Sequence, residues 1–247
     1  MMRNVQITVL IVFGGLLIAC YSGNEKTVNH TVDTLIRQAN DSNTFNRKVD
    51  IPYQVLSRLK EGNRHFVMKL SPSNSAHDSS YSYMDQIEHT RNEQHPIACI
   101  LSCMDSRVPP EIIFDQGIGS LFVVRVAGNI EDSDILGSME YAVAEKGVTV
   151  IIVLGHKNCG AISAAFGKVD PTNKELVSLI AHVKKDIVPN DKPPYDASSK
   201  HNVKVTIENI LHGSQTIQQK QLTGKLVVVG ALYDVGNGVI DWNTVDW

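Results

Sequence analysis

Two nearly uninterrupted apolar runs, residues 97–101 and 148–154, constrain the fold of this chain more than any other feature. Both are rich in β-branched residues, and continuous apolar runs of this length are typical of strands buried on both faces of a parallel sheet. In open α/β sheets, ligands bind at the carboxyl ends of the strands. The sequence therefore predicts an α/β fold, a mostly parallel β-sheet flanked by helices, with a ligand site at one edge of the sheet.

Residues that bind metals follow both runs. Cys103 follows the first run, and His156 and Cys159 follow the second at positions i and i+3. Two thiols and an imidazole suit Zn²⁺, which binds sulfur and nitrogen ligands tetrahedrally. A structural zinc would want four protein ligands, typically in paired Cys-x-x-Cys knuckles, and the sequence contains no such knuckle. Three ligands with a carboxylate nearby, Asp105, predict a catalytic ion with an open position.

Plainer interpretations of the same residues stay open at this point. A lone cysteine at a strand end is usually an inert core residue, and a lone histidine is usually a hydrogen-bonded polar group. In the same way, Asp105 and Arg107 would form an ordinary surface salt bridge.

Two signatures decide between these interpretations. The first is Cys-x-Asp-x-Arg at Cys103, Asp105 and Arg107, and the second is His-x-x-Cys-Gly at His156, Cys159 and Gly160. Together they resemble the signatures of the β-class carbonic anhydrases. Further similar segments lie at residues 59–66, 109–115, 121–129 and 230–238, so that the resemblance covers about residues 52–242.

The resemblance implies reversible hydration of carbon dioxide to bicarbonate and a proton by a zinc-bound hydroxide. Cys103, His156 and Cys159 would hold one zinc ion. Asp105 would accept a hydrogen bond from the hydroxide and orient it, while Arg107 would pair with Asp105.

The resemblance also assigns a substrate pocket and a subclass. Gln94 would donate its amide to a substrate oxygen, Phe122 and Tyr141 would line a small apolar pocket, and the Gly160 backbone would lie close to the metal. Gln94, Phe122 and Tyr141 are typical of the plant-like subclass. The other subclass carries a Trp that helps to form a bicarbonate site closing the metal, and that position is Ile100 here.

Two other functions are compatible with the same residues. Some proteins of this fold hydrolyse carbon disulfide or carbonyl sulfide, a choice that depends on pocket access. Alternatively, the chain would be a lipid-anchored zinc-binding protein without turnover, with Asp105 as the fourth ligand. The Asp105–Arg107 pair argues against this closed site, because it gives Asp105 a partner other than zinc.

Composition and the first residues limit partners and location. A formal net charge of −3 over 247 residues, with no basic stripe, gives no case for nucleic acid. Arg3 precedes an apolar run of about 15 residues, which is short for a membrane span and typical of a signal-peptide core. The run ends at Cys20 in a sequence that resembles a bacterial lipobox, whose cysteine is lipidated.

We therefore expect a signal peptide and lipobox over residues 1–20, a polar tether over 21–51 and the catalytic domain over 52–247. The protein would be exported to the periplasm or cell surface and held at the membrane by its lipidated cysteine. A short uncleaved anchor is the alternative, and it also places the protein outside the cytoplasm.

Helical patterns complete the prediction. Pro52 fits the first turn of a helix that runs to about Lys69. Ser133 is expected to cap a helix, and another helix fits residues 201–219. The resemblance implies a homodimer or higher homo-oligomer with active sites at the subunit interface. The apolar positions of the first helix, including Val55 and Leu59, fit a neighbouring subunit and the chain's own sheet equally well.

Overall fold

The computed structural model describes residues 7–9, 21–23, 52–70 and 83–243. The chain divides into two units, residues 1–49 and 50–247. In the first unit, β1 (Ile7–Val9) and β2 (Tyr21–Gly23) form an antiparallel pair. The predicted signal segment and tether, including Cys20, otherwise lie outside the described residues.

The second unit alternates strands and helices. Its strands are β3 (Ala98–Ser102), β4 (Leu121–Arg125), β5 (Val150–His156), β6 (Val227–Tyr233) and β7 (Ile240–Asp241). Its described helices are α1 (Pro52–Leu70), α2 (Tyr83–Thr90), α3 (Pro110–Ile113), α4 (Ser133–Ala144), α5 (Gly160–Ala165), α6 (Lys174–Lys184), α7 (Asp196–Gly213) and α8 (Gln215–Leu222). None of these helices has the length and apolar character needed to cross a membrane.

The sheet of the second unit confirms the predicted fold class. Its strand order is β4-β3-β5-β6-β7, and the first four strands run parallel while β7 is antiparallel to β6. Every residue of β3 and β5 is buried, as their continuous apolar sequences predict. The helices between the parallel strands supply the crossover connections that such strands need.

Core packing covers both faces of this sheet, because successive side chains of a strand point to opposite faces. One face carries Cys99, Leu101, Ile151 and Val153, which pack with apolar side chains of α4 and α7. The other face carries Ile100, Ile152 and Leu154, which pack with α1 and α3. The two central strands are therefore held between layers of helices.

The first helix packs on the chain's own sheet. Val55 and Leu59 of α1 are buried in the core beside Ile100. Asn63 of the same helix donates through Nδ2 to the Gly238 carbonyl at 2.9 Å, and its Oδ1 accepts from the backbone N–H of Ile240. Of the two predicted roles of this helix, the structure therefore supports packing on its own sheet.

Two helix boundaries differ from the sequence prediction. Asp132, not Ser133, caps α4, since its side chain accepts from the backbone N–H of Ile135 at 2.9 Å. The single helix predicted over residues 201–219 is two helices. Ser214 separates them and caps α8 by accepting from the Ile217 N–H.

Candidate metal centre

Parallel strand ends bring the three predicted ligands together. Cys103 follows the last residue of β3, and His156 is the last residue of the neighbouring β5. Cys159 follows after a short turn and precedes α5. The Sγ atoms of Cys103 and Cys159 lie 4.0 Å apart, and the ligand atoms of all three buried residues lie within 4.8 Å of one another. The prediction that both clusters emerge at one edge of the sheet is confirmed.

The His156 ring is oriented for a metal. Its Nδ1 lies 2.9 Å from the carbonyl oxygen of Lys157, and because a carbonyl only accepts, Nδ1 carries the proton. The Lys157 backbone is itself held by a hydrogen bond from its N–H to the Tyr233 carbonyl. His156 Nε2 is buried, and no hydrogen-bond partner for it occurs among the described residues. A lone pair is thus left pointing into the ligand cluster.

The two thiols share a hydrogen bond that separates their pKa values. The bond from Cys159 lowers the pKa of Cys103 well below its usual range, against the opposing effect of burial. The same bond raises the pKa of Cys159, and burial adds to that increase. Cys103 also accepts from the Gly128 N–H at 3.4 Å. The cluster therefore stabilises a thiolate, which is the form of cysteine that binds metals.

These donors fit zinc in type and in spacing. Two sulfur ligands at about 2.3 Å from a tetrahedral ion lie about 3.8 Å apart, close to the Sγ–Sγ distance of 4.0 Å. No other cluster of three His, Cys, Asp or Glu side chains in the described residues has metal-binding geometry.

Asp105 lies at the edge of this cluster and is held by Arg107. Arg107 donates from Nε to Asp105 Oδ1 at 2.9 Å and from Nη2 to Oδ2 at 2.7 Å. Its backbone N–H also donates to Oδ1 at 3.0 Å. These bonds hold the pKa of Asp105 well below its usual range, against the opposing effect of burial. Asp105 Oδ2 lies 3.9 Å from His156 Nε2, so an ionised carboxylate faces the site.

Comparison with known proteins identifies the family. The family model described as carbonic anhydrase matches residues 98–240, which include all three ligands. Carbonic anhydrase 2 of Mycobacterium tuberculosis is 35% identical over 200 residues, covering 76% of this chain and 90% of that protein. The chain belongs to the β-class carbonic anhydrase family. It is therefore an enzyme of the carbonic anhydrase type, a lyase.

Other members of the family agree in sequence and in fold. The carbonic anhydrase of Mycolicibacterium smegmatis is 32% identical over 198 residues, covering 77% of this chain and 92% of that protein. The structure of the β-carbonic anhydrase CcaA superposes with a TM-score of 0.56 and 26% identity, over 75% of this chain and 93% of that one. A Coccomyxa β-carbonic anhydrase in complex with acetazolamide gives a TM-score of 0.55 and 27% identity, over 76% and 86% of the two chains.

The predicted pocket residues lie elsewhere in the chain. Phe122 and Tyr141 meet edge to face with ring centroids 6.2 Å apart and line an open cavity of about 630 Å³. Phe122 pairs in register with Cys99 of β3. Cys99 lies four residues before Cys103, and four residues of a strand span about 13 Å. Gln94 is exposed in the loop that enters β3 at the end opposite to Cys103. The structure of one chain does not bring these three residues to its own ligand cluster.

Gly160 does lie beside the ligands. It begins α5 directly after Cys159. The backbone N–H groups of the next two residues, Ala161 and Ile162, donate to the Cys159 sulfur and lower its pKa in part. The start of this helix therefore contributes to the ligand environment through its backbone.

Sequence reasoning missed two contributors to the site. Arg125 donates from Nε to the Cys103 carbonyl at 3.2 Å and from Nη2 to the Asp105 carbonyl at 2.5 Å, which fixes the segment that carries both residues. Gly128 supplies the N–H bond to Cys103. Arg125 ends a strand and Gly128 follows three residues later, and this position at the sheet edge is the signal that indicates proximity to the site.

Proposed function

We propose that this protein catalyses the reversible hydration of carbon dioxide to bicarbonate and a proton, with one zinc ion held by Cys103, His156 and Cys159. The observation that carries the proposal is the buried Nε2 of His156, for which the described residues offer no hydrogen-bond partner, in a histidine whose ligand atom lies within 4.8 Å of two thiols. The chain that carries this cluster belongs to the β-class family. A buried imidazole nitrogen without a hydrogen bond is costly unless it binds a ligand.

The chain's own residues would divide the remaining work. Zinc bound at this cluster would lower the pKa of a water molecule and supply hydroxide at neutral pH. Asp105 would accept a hydrogen bond at Oδ2 and so orient the nucleophile. Arg107 would keep that carboxylate ionised and, by donating to both of its oxygens, would give it a partner other than the metal. The bidentate contact between the two side chains supports an open site over one in which Asp105 is a fourth ligand.

We also propose that the enzyme belongs to the plant-like subclass and lacks a bicarbonate site that closes the metal. Ile100 is fully buried in the core at the position where the other subclass carries a Trp. Arg125 donates to two backbone carbonyls beside the metal ligands. Added bicarbonate would therefore act as product.

A second copy of the chain would complete the active site. Phe122 and Tyr141 line a cavity next to β4 rather than beside their own ligands. Among the described strands, β4 has a neighbour on one side only, so its other edge presents unpaired backbone groups. Both features support a homodimer in which each chain supplies pocket residues to its partner.

Zinc content and carbon dioxide hydration, measured on the same preparation, test the proposed activity. We expect about one zinc per chain and a stopped-flow hydration rate that disappears when a chelator removes the metal. Replacing Cys103 with Ala should abolish both. Stoichiometric zinc without hydration activity would contradict the proposed reaction, and hydration that persists in metal-free protein would contradict the metal site.

The proposed membrane anchor has a separate test. We propose that Cys20 is acylated after export, because it ends an apolar run and is followed by a polar segment. Labelled fatty acid should enter the wild-type protein but not Cys20→Ser, and only wild type should stay with membranes through a high-salt wash. A mature N-terminus at another residue would contradict lipidation without contradicting export.

A further inference from the structure

Helix α7 contacts the turn behind the metal ligands through a row of polar side chains. Asn202, Thr206 and Asn209 lie at positions i, i+4 and i+7, and therefore on one face of the helix. Asn202 donates from Nδ2 to the Gly128 carbonyl at 2.8 Å. Thr206 donates to the Asn129 carbonyl at 3.4 Å, and Asn209 donates to Glu131 Oε1 at 2.8 Å. Successive side chains on this face of the helix therefore form hydrogen bonds with Gly128, Asn129 and Glu131 in turn.

Asn202 is buried where an apolar residue would be expected. It is 1% exposed, and Val203 and Ile207 beside it on the helix are core residues. Its Oδ1 is also buried, and no partner for it occurs in the described part of the chain. Burying an amide whose carbonyl oxygen has no hydrogen bond within the described residues is unfavourable, so the bond to Gly128 is the main contribution of Asn202.

That bond holds a turn with unusual backbone geometry. Gly128 has a φ of 75° and Asn129 a φ of 45°, both in the left-handed region. A side chain at Gly128 would meet Val183 Cγ2 at 2.8 Å, so the turn fits closely against α6. A non-glycine residue such as Asn129 keeps this conformation only where its surroundings hold it there.

The held turn faces a metal ligand. The Gly128 N–H donates to Cys103 Sγ at 3.4 Å, and the Gly128 carbonyl, at the other side of the same residue, is the group that Asn202 binds. A backbone N–H on a ligand sulfur withdraws charge from it and fixes its direction, which tunes how strongly it binds a metal.

We propose that Asn202 is a positioning residue of the metal centre, because its bond to the Gly128 carbonyl holds the turn that directs the Gly128 N–H to the Cys103 sulfur. This inference rests on the proposed function, in which Cys103 is a zinc ligand. Thr206 provides a matched comparison. It is equally buried and lies one turn further along the same face, but its hydroxyl bonds to the carbonyl of Asn129 instead of that of Gly128.

The test compares Asn202→Leu, which keeps the number and branching of the side-chain heavy atoms, with Thr206→Val. Circular dichroism first establishes that both full-length proteins fold, and Asn202→Ser replaces Asn202→Leu if the latter does not. Zinc affinity is then measured by competition with a chelator. The cobalt-substituted proteins are compared through the thiolate-to-metal charge-transfer absorption, which reports on the sulfur–metal bond directly.

We expect Asn202→Leu to weaken zinc binding about 10- to 100-fold and to shift the charge-transfer band. Thr206→Val should leave the affinity within about twofold and the band unchanged. Wild-type values in the folded Asn202 variant would overturn the inference, as would an equal effect of Thr206→Val. In both cases wild type still binds cobalt, whereas a wild-type protein that binds neither metal would overturn the proposed function itself.

Discussion

Asp105 is the residue at which two roles compete for one carboxylate, hydrogen-bond acceptor and metal ligand. Arg107 engages both of its oxygens, which favours the first role. Asp105→Asn should therefore keep its zinc, while hydration falls by about 10²-fold, because the amide cannot form the same ionic pair or accept in the same way. Metal analysis and stopped-flow kinetics on one preparation would show this. Cys103→Ala is the control that loses zinc, and an equal loss in Asp105→Asn would make Asp105 a ligand.

We expect Asp186, which lies outside the metal centre, to affect stability through its pKa. Burial raises its pKa, and attraction to His182, His201 and Lys185 only partly opposes the increase. A carboxyl group whose pKa is higher in the folded state favours folding when protonated, so this contribution is lost as the pH rises above about 4 through the folded-state pKa. Asp186→Asn should therefore raise the melting temperature more at about pH 8 than at about pH 5.

Asp170 is a suitable control for that measurement. It is exposed, and hydrogen bonds from Thr172 lower its pKa, so the ionised form favours folding. Asp170→Asn should give no gain in melting temperature at alkaline pH. A gain for Asp186→Asn that is the same at both pH values would contradict a protonation effect.

Among single residues, the metal ligands could be predicted from the sequence, but the residues that hold the surrounding backbone in place could not. Cys103 and His156 each follow a continuous apolar strand, and this local pattern places both at the same edge of a parallel sheet. The bond from Asn202 to Gly128 joins residues 74 positions apart. A polar residue in a helix is visible in the sequence, but its partner depends on how the helix docks.

At the scale of elements, the contact between α7 and β5 depends on one glycine. A Cβ on Gly155, directly before His156, would meet Val203 Cγ2 of α7 at 2.5 Å. Gly155→Ala should therefore destabilise the protein by about 1–3 kcal/mol, because the helix must move outward. Val203→Ala should cost a similar amount by leaving a cavity.

The double variant separates this contact from a general effect. The alanine methyl group at position 155 would fill part of the space that Val203→Ala opens. The free energy of unfolding, measured by denaturant titration, should therefore fall by at least about 0.5 kcal/mol less than the sum of the two single losses. Strict additivity would mean that the two residues do not compete for the same space.

The strands and helices could largely be predicted from the sequence, but the point at which one helix ends and the next begins was harder to predict. Strands β3 and β5 follow from their apolar runs. The break between α7 and α8 at Ser214 was missed, although Gly213 and Ser214 are a typical helix end followed by a typical cap. The register of β4 could not be predicted, because hydrogen bonding between strands, rather than local sequence, pairs Phe122 with Cys99.

At the scale of the whole molecule, the separation of Phe122 from its own ligands predicts that subunits complement each other. Phe122→Ala should damage the pocket supplied to the partner, and Asp105→Asn should inactivate the subunit's own centre while keeping its zinc. In a hybrid dimer, the Asp105→Asn subunit would supply an intact Phe122 to the partner's intact centre, so one of the two sites would be complete.

Random pairing after equal co-expression should then give about a quarter of wild-type hydration activity. Each variant expressed alone should stay well below that level. A co-expressed mixture no more active than the average of its parents would show that Phe122 acts within its own chain, or that the chains do not pair.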